Sequence, residues 1–338
     1  MTANSDINPP AAFIDSHPDF AALIVNAPLS AQFAVHEAKA VRAKRWYTRV
    51  GLFSLAAIFV TISVLALSLT LWRETALPDW FVILIGWLGL AGFAAQFVLL
   101  FGGLKQRWLL HRFAAERLRS IKFEAFTIAA CTGANYATHV EAFSRRKIGD
   151  FELQLKSEEG LLREFAPERF LDAPAPVTGT LTPSQLDELK SLYQHMRLDY
   201  QARHASSMLA KIREEQRLPA SASEMSFWAG AALGFIDAFA ALPFFHWIGE
   251  GWSEPREFLT LFLFALSAIL FVLQRGRSHA AAIQRYDDYS IAVTRTAGAL
   301  SEARDATEFL ACVREGEMLA LQELKLFIRE SEHATYLL

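Results

Sequence analysis

The chain has 338 residues, with 33 lysines and arginines against 36 acids and only 20% of residues charged. That balance sets aside a nucleic-acid binder, which would be strongly basic. A mean hydropathy of +0.21 and 53% hydrophobic residues point away from a purely soluble protein. Two cysteines, Cys131 and Cys312, are too few for a disulfide framework or a zinc site.

Residues 1–29 carry prolines together with Asp6, Asp15 and Asp19, and no basic stretch leads into an apolar one. They read as a poorly ordered tail, not a cleavable signal peptide. Residues 30–49 read as a basic helix leading into the first of four apolar windows. A spanning helix needs about 20 apolar residues to cross about 30 Å of hydrocarbon. Residues 50–72 and 80–104 contain no charge at all. After them, residues 105–147 predict a long amphipathic helix. Residues 148–182 read as a linker, rich in proline and small residues from 167 onward, while 151–160 alternates briefly and fits strand or helix.

A second copy of this plan follows. Pro183 suits a first helical turn with Thr182 as its cap, and that helix should run to about Arg217, before Pro219. The third window, 225–249, holds Asp237 and His246, and the fourth is 258–274. A buried hairpin of a soluble core would also fit these last two windows. Residues 275–332 predict another long helix. There Leu310, Val313, Leu321, Leu324 and Ile328 form an apolar stripe with one acid, Glu317, inside it.

Lysines and arginines set the orientation. Lys39, Arg42, Lys44, Arg45 and Arg49 precede the first span, and Lys105, Arg107, Arg112, Arg117, Arg119 and Lys122 follow the second. The second hairpin repeats the bias, with Lys211, Arg213 and Arg217 before it and Arg275, Arg277 and Arg285 after it. The expected fold is therefore an all-α membrane protein of two transmembrane hairpins, four spans in all. Each hairpin is flanked by long cytoplasmic amphipathic helices, and both termini are cytoplasmic.

Within the spans, polar and small residues mark candidate sites. Asp237 is costly in hydrocarbon, so it should face protein or water, as a pore-lining group or as a neutral hydrogen-bonded acid. Ser54, Thr61 and Ser68 recur every seven residues and, with Gln96, fit a wet pore or interhelical hydrogen bonding. Gly230, Gly234 and Ala238, and likewise Gly86, Gly89 and Gly92, are small faces that allow close helix approach. Lys105, Arg112 and Arg119, seven apart, suit lipid headgroups or a phosphate. His111, His139, His195 and His204 lack metal-ligand spacing. No nucleotide-binding glycine loop, HExxH or GxSxG occurs, so neither an enzyme nor a cofactor is expected.

Three segments carry a resemblance. RWLLHRFAAERLRSIKFEAF, residues 107–126, resembles the post-span "W…R…AE.LR" segment of the SLATT superfamily. YQHMRLDYQARHASSMLAKIREEQ, residues 193–216, resembles the helix that precedes its hairpin. REGEMLALQELKLFIRE, residues 314–330, is similar to its closing helix, with Phe327 where a tryptophan is usual. The resemblance implies two tandem units, 30–147 and 183–338, of a two-transmembrane effector domain associated with bacterial nucleotide-signalling conflict systems. It implies an oligomeric pore-forming protein of the inner membrane, triggered by a nucleotide second messenger or a sensor protein. The residues themselves fit a non-conducting membrane scaffold equally well, with the lipid bilayer and further copies of the chain as partners.

Overall fold

The computed structural model of the chain describes residues 4–70, 77–157, 162, 165–172, 176–240, 253–276 and 279–333. All regular structure among them is helical. Two short helices, α1 (Ala11–Asp15) and α2 (Ala21–Ile24), open the chain. The basic helix and the first apolar window then form one continuous α3 (Ala27–Leu69). α4 (Asp79–Phe101) follows, and Gly102 and Gly103 end it, with Gly103 at φ +64° in the left-handed region that favours glycine. The second apolar helix therefore stops before residue 104, and Lys105 lies in the first turn of α5 (Leu104–Thr132).

The single helix expected over 105–147 is broken in two. Gly133 takes φ +62°, and a Cβ there would stand 2.8 Å from the Thr180 carbonyl oxygen, so the chain turns and restarts as α6 (Tyr136–Ser157). The stretch whose secondary structure the sequence left open is thus helical to Ser157. The expected linker is partly packed: Phe170 and Leu171 are buried, and Thr178 and Gly179 donate to the Cys131 carbonyl. α7 (Pro183–Tyr193) begins on a complete capping box, with Gln185 N–H donating to Thr182 Oγ1 and Thr182 N–H to Gln185 Oε1. A π-helical turn over Gln194–Leu198 leads into α8 (Asp199–Ala240), which runs on through Pro219 where an end was expected. α9 (Ser253–Gly276), α10 (His279–Glu302) and α11 (Ala306–His333) complete the fold. The expected long terminal helix is interrupted between α10 and α11, where Asp305 caps the Glu308 N–H.

The chain divides into two compact units, and neither matches one half of the sequence. The first unit comprises Met1–Arg42, Arg107–Lys211 and Ala280–Glu332; the second is chiefly Ala43–Gln106 and Ile212–His279. The stretches 30–147 and 183–338 each contribute helices to both units. Each half sends its polar helices to one unit and its apolar helices to the other.

The first unit is built around α5. Every residue from Phe113 to Phe126 except Glu116 is buried, so this helix is enclosed on all sides and not on one stripe. The N-terminal residues belong to this core: Ile7, Phe20, Leu23 and Ile24 are buried with Phe33, Phe113 and Ile328. The expected disordered tail is instead a packed segment, because these apolar side chains gain more by leaving water than the chain loses in freedom.

In the second unit, two of the described helices are long and apolar enough to cross a membrane, the one ending at Leu69 and α4. Their apolar side chains point outward, Trp80 at 67% and Phe101 at 77% exposure. A soluble core helix would bury such groups. The expected third and fourth spans fall on α8 and α9, and residues 241–252 lie outside the described residues.

Candidate functional site

The second unit brings most of the predicted intramembrane residues into helix interfaces. On α3, Ser54 Oγ donates to the Gly92 carbonyl of α4 at 2.8 Å. A Cβ on Gly92 would sit 2.9 Å from the Ala57 Cβ, and one on Gly89 would sit 2.9 Å from the Thr61 methyl. These glycines are thus what lets α3 and α4 approach. Thr61 and Ser68 donate back to carbonyls of their own helix, Ala57 and Leu65. Gln96 is partly buried. Among the described residues a Cβ on Gly86 would meet nothing within 4 Å, so this glycine takes no part in the α3–α4 contact.

The second pair of helices is joined the same way. Ser223 and Ser267 each donate to the other's carbonyl, at 3.3 and 3.1 Å. Gly230 faces Leu263 and Phe264 of α9, and Gly234 faces Thr260. Phe59 of α3 meets Phe262 of α9 with ring centroids 5.3 Å apart, which ties helices from the two halves of the sequence together. Asp237 and Ala238 fall within α8, but their side chains lie outside the described residues, as does His246.

The first unit holds a buried charge network. Arg197 donates from Nε and Nη2 to the two carboxylate oxygens of Glu317, both at 2.7 Å, and both side chains are almost wholly enclosed. Tyr193 donates to the same carboxylate, and the Arg197 guanidinium lies 4.7 Å from the Phe123 ring centroid. Burial raises the Glu317 carboxyl above its ordinary value, and Arg197 pulls the other way. The acid inside the apolar stripe is therefore one half of an ion pair whose other half lies on the π-helical turn. Gly316 beside it makes room, since a Cβ there would stand 2.5 Å from the Tyr193 hydroxyl.

A second cluster anchors the N-terminal segment. Arg119 pairs with Asp6 at 2.9 Å, with Glu116 at 2.6 Å, and donates to Asn4. Lys122 donates to the carbonyls of Asp6 and Ile7 at 2.8 and 2.9 Å. Burial pushes the Lys122 ammonium down to about 7, with Asp6 opposing. Against burial, Arg112 and Arg119 hold the Glu116 carboxyl well below the usual carboxylate range. A third cluster joins Arg117 to Glu124 and to the Phe170 carbonyl, and Lys147 to Asp172 at 2.6 Å.

Of the three basic residues predicted to meet headgroups or phosphate, Arg112 and Arg119 thus have carboxylate partners within the protein. Lys105 also engages a neighbour. Sequence reasoning read Arg117 and Lys122 only as flanking charges, and did not single out Glu124 or Arg197. The signal was present: α5 carries large apolar residues on every face, Phe113, Leu118, Ile121 and Phe123 among them, so charges between them had to be buried and paired.

Comparison of the chain with protein-family models, with curated proteins and with solved structures finds no match.

Proposed function

We propose that the chain is an oligomeric effector of the inner membrane. Two hairpins supply four spans per copy, the polar first unit and both ends lie in the cytoplasm, and a signal received there makes the spans open a pore or otherwise perturb the bilayer. A nucleotide second messenger or a sensor protein is the trigger, in an anti-phage or conflict response, as the SLATT resemblance implies. What supports this reading is the sorting of helices. Both halves of the sequence give their apolar, outward-facing helices to one unit and their charge-bearing helices to another. A change of packing among the charged helices is then one that both hairpins share.

The test is membrane potential, read by a voltage-sensitive dye in bacteria expressing the intact chain, with Asp237→Asn at equal membrane levels. Depolarisation with growth arrest, relieved in the variant, is the expected result. A potential held at high expression and during phage challenge in the native host would remove the pore. One observation favours the alternative, a non-conducting scaffold or anchor that recruits a cytoplasmic partner. Ser54, Ser223 and Ser267 direct their hydroxyls at neighbouring helices, which suits packing without a wet lumen.

A further inference from the structure

Within the first unit, α5, α6, α11 and the segment at Leu171 line a cavity of about 310 Å³, a size that falls in the range of small-molecule sites, about 300–1,000 Å³. Ile128, Phe143, Leu171, Leu310 and Val313 give it apolar walls. Its charged lining is Glu124, Asp172, Glu317, Arg146 and Arg314.

Each of the three carboxylates already has a cation partner within the protein. Glu317 carries Arg197 on both oxygens, Glu124 pairs with Arg117, and Asp172 pairs with Lys147 at 2.6 Å. The two arginines are not matched in this way. Arg146 reaches Asp172 only at 3.5 Å, and half-buried Arg314 has no carboxylate within ion-pair distance among the described residues. Counting the lining with its partners, five cations meet three carboxylates. The excess is positive: Arg146 shares Asp172 with Lys147, and Arg314 has no carboxylate of its own among the described residues.

We propose that this cavity binds a small amphipathic anion, a carboxylate or phosphate group on an apolar body. Arg146 and Arg314 hold the anion, and Ile128, Phe143 and Leu310 take the body. Guanidinium groups suit both anions because their paired N–H groups match two oxygens at once. A bound ligand fastens α11, from the second half of the sequence, to α5 and α6, from the first. The site stands whether or not the membrane helices conduct.

Isothermal titration of the full-length protein in detergent tests it, with phenyl phosphate and phenylacetate as probes and phenethylamine and benzyl alcohol as controls. At least one anion should bind with a Kd of about 1 mM or tighter, and neither control should. Binding of phenyl phosphate alone assigns a phosphate ester, and binding of phenylacetate alone a carboxylate. Arg146→Gln with Arg314→Gln should weaken binding at least about tenfold, and Arg314→Lys in the otherwise unchanged chain should weaken it by less, because the charge stays while the two-pronged fit is lost. Thr127→Phe, which fills the cavity from its wall, should abolish it, with circular dichroism confirming that each variant is folded. The proposal is overturned by no binding of either anion at about 10 mM, by equal binding of phenethylamine, or by an unchanged Kd in the double variant.

Discussion

Arg197 and Glu317 have both given up their water, at 2% and 0% side-chain exposure, and each depends on the other to offset that loss. Removing one partner strands a buried charge, so Arg197→Met should destabilise the first unit by about 3–5 kcal/mol. Replacing both, as Arg197→Met with Glu317→Leu, should cost much less, because no charge is left behind. Equilibrium unfolding of Arg197→Met, Glu317→Leu and the double variant in detergent measures the coupling, and equal losses in the single and double variants would refute the pairing. Lys122 makes a different prediction. Its ammonium has an ordinary value of 10.5 and falls to about 7 in the folded protein, because burial disfavours the charged form. Between those values the unfolded chain binds more protons than the folded one, so the contribution of Lys122 to stability rises with pH across that window. Below about 7 the cost is fully present and constant. The melting temperature should therefore climb between pH 7 and about 8, before the cysteines titrate, and Lys122→Met should flatten the climb. A slope unchanged in that variant would assign it to other groups.

At the scale of elements, the α3–α4 contact turns on Gly92 and Gly89, where no side chain fits between the helices. Gly92→Leu would drive a side chain into Ala57 and the Ile58 backbone and displace the carbonyl that Ser54 binds. It should destabilise the hairpin by about 1–3 kcal/mol, in the manner of overpacked cores. Gly86→Leu, with open space at its Cβ, should be nearly neutral. Thermal unfolding in detergent, followed by circular dichroism, separates the two, and an equal loss in both would mean that close approach is not what Gly92 provides. Both glycines stand in the same run of small residues, so the sequence marks the face but not which member of it meets a neighbour. Helix limits show the same division. The Thr182–Pro183 start was legible because capping is local chemistry. The break at Gly133 was not, because what holds it is the Thr180 carbonyl from a distant segment. Pro219 misled in the opposite sense: it removes one helix hydrogen bond, and α8 continues in spite of that.

For the whole molecule, the helical class and the apolar windows of α3 and α4 were legible, since both follow from composition and period. The partition into units was not. It depends on pairings such as Arg197 with Glu317 and Lys122 with Ile7, each joining residues more than a hundred positions apart. No local pattern encodes a partner at that distance. The N-terminal segment illustrates the point: Ile7, Phe20 and Leu23 look ordinary among prolines and acids until α5 is present to receive them. The shared core that runs from Ile7 to Ile328 also fixes an order of events during synthesis. The apolar helices of the second unit leave the ribosome before α11, and the first unit cannot close until α11 is made. Arg197 waits unpaired through the translation of 120 further residues. A message cut short before α11 therefore yields a product whose first unit lacks both the Glu317 partner of Arg197 and the closing face of its core.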